Sequence, residues 1–169
     1  MASMCNVIVI PCSHKDSEAL LKNIKDTGKS QASKFKDGYI IELLLACNSN
    51  LGEAEEYLFV AIKQDANTGL TDICGFARVT KGLGEGEKRL KLESIATKGH
   101  SDTSYKGIGT LLIRKIIDHF RQDSSISGLF VHSEVPSIGF YKSVGFEAMK
   151  GERNPRYMFL TVSSKLKST

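Results

Sequence analysis

Long apolar runs are missing from this sequence of 169 residues. A helix that crosses a bilayer needs about 20 consecutive apolar residues, and no stretch approaches that length. The amino terminus, MASMCNVIVIPC, carries no positively charged leader, and its apolar run has only the length of a strand. We therefore expect no signal peptide and no membrane partner, and we predict a cytoplasmic location.

Patterns of metal ligands and disulfides are missing as well. The four cysteines, Cys5, Cys12, Cys47 and Cys74, form no C-x-x-C pair, and no H-E-x-x-H sequence occurs. Three of these cysteines lie in apolar surroundings, which is typical of reduced, buried thiols in a cytosolic protein. The sequence therefore predicts neither a metal site nor a disulfide framework.

Charge of one sign is nowhere concentrated. The net charge is +4, and no tract of five or more like charges appears. A nucleic-acid surface combines a basic patch with interleaved aromatic residues, which this sequence lacks, so we expect no nucleic-acid partner. A basic pocket for a phosphorylated small molecule would account for the excess equally well.

Two short motifs resemble catalytic or nucleotide-binding sites but lack their context. GKS at Gly28–Ser30 lacks the glycine that a P-loop has five residues earlier, since that position is Asn23. His100, Ser101 and Asp102 are adjacent, but no G-x-S-x-G elbow presents a nucleophilic serine. We therefore interpret both as ordinary polar segments. His14, His119 and His132 have no visible partner, and we expect them to be structural or surface residues.

Periodicity and turn signals predict one α+β domain over residues 1–169. Strands are expected at 5–10, 57–64, 71–80, 88–97, about 128–132 and 156–162. Helices are expected at 16–26, within 36–48, up to about residue 121 and at 136–144, with a polar loop at 27–34. Short turns join the second, third and fourth strands, so these should form an antiparallel meander.

Two glycines stand at the start of the third predicted helix. Gly107 and Gly109 follow Tyr105 and Lys106, and an amphipathic run comes directly after them. Free N–H groups and the helix dipole favour anions at such a start, and glycine lets a phosphate approach the main chain closely. A tight loop that uses glycine only for turning remains open, because G-x-G alone is a weak signal.

A second segment makes the pattern more specific. SIGFYKSVGFE, residues 137–147, predicts a short helix with an aromatic pair, followed by a glycine and a strand. We expect Phe140 and Phe146 to pack in the core. A strand, a glycine loop and a helix followed by this segment are together more specific than either part.

These segments resemble the GCN5-related N-acetyltransferase (GNAT) superfamily over nearly the whole chain, most strongly over residues 71–147. The family pattern Arg/Gln-x-x-Gly-x-Gly/Ala falls on SYKGIG at 104–109. ICGFARV resembles the third strand of the family and LESIAT its fourth, while FYKSVGF matches F-Y-x-x-x-G-F. The resemblance implies a three-layer α+β fold: a mixed, largely antiparallel sheet of about six to seven strands, with splayed fourth and fifth strands, flanked by about four helices.

The resemblance also implies an activity, the direct transfer of an acetyl group from acetyl-coenzyme A to an amine. The implied coenzyme-binding residues are Ile95, Ala96, Thr97, Ser104, Tyr105, Lys106, Gly107, Ile108, Gly109, Thr110, Glu134, Ser137 and Tyr141. Tyr141 matches the tyrosine that protonates the leaving thiolate, and an amide near Ile95 would polarise the thioester carbonyl. An attacking amine must lose a proton. Glu93 is the best-placed carboxylate for that, although it is equally interpretable as a surface glutamate of an alternating strand.

Two positions depart from the family pattern. Ser104 stands where the family has arginine or glutamine, and Glu134 stands where it often has asparagine. These departures keep a second hypothesis open, a coenzyme A-binding sensor or scaffold that transfers nothing. A small-molecule amine, a polyamine and a protein amine all remain possible acceptors, and the protein is expected to be a monomer or a homodimer.

Overall fold

Seven strands form one mixed sheet. The computed structural model describes residues 5–12, 17–30, 55–82, 88–97 and 106–162. In chain order the strands are β1 (Asn6–Pro11), β2 (Glu55–Gln64), β3 (Thr71–Lys81), β4 (Lys88–Thr97), β5 (Ile126–His132), β6 (Glu147–Ala148) and β7 (Tyr157–Thr161). Their order across the sheet is β1-β2-β3-β4-β5-β7-β6. Only β4 and β5 pair in parallel, so the predicted α+β fold with a largely antiparallel sheet is confirmed.

Three α-helices lie in the described part of the chain, against about four expected. They are α1 (Glu18–Ser30), α2 (Ile108–Phe120) and α3 (Ile138–Val144), and a short 3-10 helix, Val135–Ser137, precedes α3. The helix predicted within 36–48 lies outside the described residues. None of the described helices is long and apolar enough to span a membrane.

The polar loop predicted at 27–34 is wrong for its first four residues, which belong to α1. The Thr27 hydroxyl donates a hydrogen bond to the Asn23 carbonyl at 2.9 Å. The Ser30 hydroxyl donates another to the Thr27 carbonyl at 2.8 Å. Because these polar side chains find partners within the helix, their polarity does not end it. A helix at Gly28–Ser30 also removes the P-loop hypothesis, which requires a loop there.

Each face of the sheet carries its own apolar core. The larger core lies beneath α2 and α3 and includes Leu92, Val131 and Tyr141. The smaller core joins Leu21 of α1 to Phe76 of β3. We call these two sides the α2 face and the α1 face. Successive side chains of a strand point to opposite sides, so each strand contributes alternate residues to each face.

The pairing of β4 with β5 ends before either strand ends. Its last pair joins Leu92 to Val131. Beyond that pair, β4 continues to Thr97 along β3, and β5 continues to His132 along β7. A wedge-shaped gap, here called the β4–β5 cleft, opens between the two strands. The predicted splay of the fourth and fifth strands is confirmed.

A β-bulge lies at the point where the cleft opens. Against β3, Leu92 pairs with Val79 and Ser94 pairs with Arg78, which leaves Glu93 as the extra residue. A bulge bends its strand and re-aims the side chain that it carries. The bulge therefore accounts both for the divergence of β4 from β5 and for the position of Glu93.

Candidate functional site

In the β4–β5 cleft, one edge of strand β4 is not covered by another described strand. Residues 94–97 of β4 pair with β3 on one edge only, within the described chain. Ile95, Ala96 and Thr97 are half-buried there. Main-chain N–H and C=O groups on an open edge can pair with an extended ligand as they would with a strand. The three β4 residues predicted from the resemblance thus line one wall of the cleft.

The N-terminus of α2 begins with a left-handed glycine. Gly107 is the N-cap, with φ of 84° and ψ of 2°, and no side chain caps the helix. The first N–H groups of a helix have no partner within it and carry the positive end of the helix dipole. Lys106 and Gly107 are exposed, whereas Gly109 and Thr110 are half-buried. This end of α2 is suited to an anion such as a phosphate.

The two glycines of the predicted loop have different structural reasons. A Cβ on Gly107 would meet nothing within 4 Å, so its positive φ is what requires glycine. A Cβ on Gly109 would lie 2.9 Å from Cζ of Phe140. Gly109 therefore allows the aromatic ring of α3 to pack directly on the first turn of α2. Of the two, only Gly107 borders open space.

A third glycine, which the sequence analysis missed, seats α2 against the sheet. A Cβ on Gly75 would lie 2.9 Å from the Ala96 carbonyl oxygen and 2.9 Å from Cγ2 of Ile108. Ile108 is the first residue of α2, so the absence of a side chain at Gly75 sets how closely the helix start approaches β3. A glycine inside a strand pattern was the available signal, since it indicates a bulge or a close approach of another chain segment.

Tyr141 lies on the α2 face as part of the larger core. Its side chain is buried, and its ring centroid is 5.2 Å from that of Phe140 and 5.2 Å from that of Phe146. Burial raises the pKa of the Tyr141 hydroxyl to about 12, and the Glu134 carboxylate adds to the shift. The hydroxyl is therefore protonated near neutral pH and can donate a hydrogen bond there.

Glu93 lies on the opposite side of the sheet. The Thr80 hydroxyl donates a hydrogen bond of 2.8 Å to its Oε1, and the Lys91 ammonium lies 3.2 Å from its Oε2. Thr80 and Lys91 alternate with residues of the larger core, so this contact is on the α1 face. The Glu93 side chain is 23% exposed, so it is accessible from that side. Tyr141 and Glu93 thus lie on opposite faces of the sheet.

The remaining predicted positions are less informative. Ser104 and Tyr105 lie outside the described residues. Glu134 is exposed and forms the N-cap of the 3-10 helix, and its carbonyl accepts a hydrogen bond of 2.9 Å from the Ser137 N–H. Both residues follow β5 directly, so they lie at the end of the sheet where the cleft opens. Across the described ranges, no group of three or more histidine, cysteine or acidic side chains is arranged to hold a metal.

One residue expected to stand alone belongs to a group of aromatic rings. His132 stacks on Tyr157, with centroids 4.4 Å apart and an angle of 10° between the rings. Phe130 stacks on the same tyrosine at 5.8 Å and 19°. No local sequence signal could have found this group, because its members belong to β5 and β7 and only the strand register brings them together.

Comparisons with known proteins agree with this fold. The family model described as Acetyltransferase (GNAT) family matches residues 24–146. The solved complex AtaTR bound with AcCoA has a TM-score of 0.61 at 18% identity, covering 96% of this chain and 95% of that chain. Tetrahymena GCN5 has a TM-score of 0.50 at 15% identity, covering 98% and 99%. At such identities the structures show a shared fold, and a sequence search of curated proteins gives no match.

Proposed function

The chain belongs to the GNAT acetyltransferase family, and from that premise we propose that it transfers an acetyl group from acetyl-coenzyme A directly to an amine. The observation that carries the proposal is the β4–β5 cleft. A helix start suited to an anion lies on one side of it, and Tyr141 and Glu93 lie on opposite faces of the sheet.

The donor would be held by main-chain groups. The open edge of β4 at Ile95–Thr97 offers N–H and C=O groups to the extended, amide-containing arm of coenzyme A. The first N–H groups of α2 would bind its pyrophosphate, and Lys106 would add a positive charge. The space beside Gly107 supports this placement, because nothing lies within 4 Å of the position that a Cβ would take. These main-chain groups and Lys106 thus fit the donor.

The bound donor supplies an activated acetyl thioester. The amine nitrogen forms a bond to the carbonyl carbon, the carbon–sulfur bond breaks, and one proton passes in balance from the amine to the sulfur. Tyr141 would donate a hydrogen bond to the departing sulfur, since its hydroxyl, with a pKa of about 12, remains protonated at neutral pH. Glu93 would take the amine proton on the α1 face, directly or through a water. Thr80 and Lys91 hold its carboxylate in place for this role.

The test is release of free thiol from acetyl-coenzyme A over a panel of primary amines, with calorimetric binding of coenzyme A measured in parallel. We expect amine-dependent release well above the rate of thioester hydrolysis without amine. Tight coenzyme A binding without release on any amine would instead establish the sensor or scaffold hypothesis. Failure to bind coenzyme A would contradict the proposed use of the cleft.

A further inference from the structure

The stacked rings of β5 and β7 form a short column on the α1 face. Leu129 and Val131 point into the larger core, so Phe130 and His132, which alternate with them, point the other way. Tyr157 lies directly opposite His132 in the strand register and stacks on both of these rings. Phe130 and Tyr157 are half-buried, whereas His132 is exposed. The column therefore ends in one accessible ring.

The column lies next to the opening of the β4–β5 cleft. Phe130 pairs with Lys91, whose ammonium contacts Glu93. The β4–β5 pairing ends at Val131, one residue before His132. In the strand register, His132 thus follows the last pair on β5 just as Glu93 follows it on β4. The accessible ring and the carboxylate proposed as base stand on the same face, on the two sides of the opening.

The charges on this face argue against a polycationic acceptor. The carboxylates that β2 and β4 contribute there both contact a cation already, Glu56 with Arg78 at 3.2 Å and Glu93 with Lys91 at 3.2 Å. The turn between β6 and β7 carries Lys150, Arg153 and Arg156 against the single acid Glu152. A second ammonium on the acceptor would therefore approach carboxylates that are neutralised and a turn that is basic.

We propose, on the basis of the acetyl transfer proposed above, that the column Phe130–Tyr157–His132 is the acceptor platform. It takes a primary monoamine carried on a flat aromatic or heteroaromatic group, which stacks on the ring of His132 and extends the column. Aromatic rings attract one another in offset stacks at centroid separations of about 4.5–7 Å, the range in which the column's own Phe130–Tyr157 pair falls. The stacked acceptor then presents its amine to Glu93 at the mouth of the cleft.

The experiment compares two acceptors that differ only in ring aromaticity, 2-phenylethylamine and 2-cyclohexylethylamine, with spermidine as a polycation. We expect kcat/KM for the phenyl compound to exceed that for the cyclohexyl compound by about two- to tenfold, the range that one stacking contact supplies. His132→Leu should abolish this preference, and His132→Phe should retain it. His119→Leu is the matched control, since His119 contacts Tyr57, Phe59 and Phe120 and should leave the preference unchanged.

The outcomes separate this inference from the proposed function. Equal kcat/KM for the two ring amines, or a preference for spermidine, overturns the platform while acetyl transfer stands. If no amine releases thiol, the proposed function fails. Calorimetric binding of 2-phenylethylamine in the presence of coenzyme A then tests the acceptor platform. Binding that His132→Leu removes supports the platform, and binding that this variant leaves unchanged overturns it.

Discussion

The two faces of the sheet meet the β4–β5 cleft with different kinds of side chains. On the α2 face the cleft borders the larger apolar core, which includes the buried side chain of Tyr141. On the α1 face it borders an ion pair, a hydroxyl and a column of partly exposed rings. At the cleft, the first face is apolar and buried, whereas the second is accessible and polar.

This difference indicates that the two faces have different roles in the reaction. A leaving sulfur benefits from a protonated donor, and Tyr141, whose pKa burial raises to about 12, supplies one on the α2 face. An incoming amine has to reach the cleft from water and lose a proton, which requires the accessible α1 face. The predictions below test whether each face carries the role assigned to it.

The largest effect is expected from Tyr141→Phe. Loss of the hydroxyl should lower kcat by about 100-fold or more, the range typical for removal of a proton donor, and should leave the affinity for coenzyme A nearly unchanged. Steady-state thiol release and calorimetry measure the two quantities. Tyr57→Phe is the matched control, because burial also raises the pKa of that tyrosine to about 12. Unchanged turnover in Tyr141→Phe would remove the proton-donor role from the α2 face.

The second prediction concerns the helix start that would bind the pyrophosphate. Gly107→Asp should weaken coenzyme A binding by about tenfold or more relative to Gly107→Asn, because the two side chains differ mainly in a negative charge at the anion site. Both substitutions fit the left-handed conformation better than other side chains, and the space beside Gly107 is open. Equal affinities in the two variants would place the pyrophosphate elsewhere.

The same comparison shows which parts of the site could be predicted from sequence. Residues 104–109 and 137–147 are continuous segments of the sequence, so their glycines, aromatics and spacing are visible as motifs. On the α1 face, His132 becomes significant only beside Tyr157, and Glu93 only beside Thr80. Those partners are set by strand register, which a motif does not contain. For Gly75 the glycine inside a strand pattern indicates a close approach, but the sequence does not show that the approaching residue is Ile108 of another element.

The boundaries of β4 and α1 differ in how well the sequence predicted them. The strand predicted at 88–97 agrees with β4 because its alternation matches the period of a strand. The end of α1 was misplaced because Thr27 and Ser30 satisfy their hydroxyls within the helix. Polar composition predicts a loop only when such side chains compete with the helical hydrogen bonds.

A third prediction tests the packing that supports the α2 face. Gly109→Ala should lower the free energy of unfolding by about 1–3 kcal/mol, because the new methyl group would meet the ring of Phe140 at 2.9 Å. Adding Phe140→Leu should restore part of the loss, since the smaller side chain leaves room. Urea denaturation of the single and double variants measures both steps. An additive double variant would show that the two positions do not contact each other.

The smallest effect is expected far from the cleft, where the α2 side carries a charge. The Lys81 ammonium lies 2.8 Å from Asp123 Oδ2, and its hydrogen bond, followed by that of Ser125, lowers the pKa of the Asp123 carboxyl well below its ordinary value of 3.8. A carboxyl whose folded pKa is depressed stabilises the fold above its unfolded pKa, and this stability is lost as the pH falls toward the folded pKa.

Wild type should therefore have a higher urea midpoint than Asp123→Asn at neutral pH, and the gap should narrow steadily below about pH 4, where the unfolded carboxyl takes up its proton. Asp118→Asn is the control, since it breaks an exposed ion pair of 2.9 Å with Arg121, and exposed pairs contribute little. A gap that stays constant with pH would mean that Asp123 acts through its hydrogen bonds to the backbone turn. The positive charge of the partly buried Lys81 would then have to be compensated by another group.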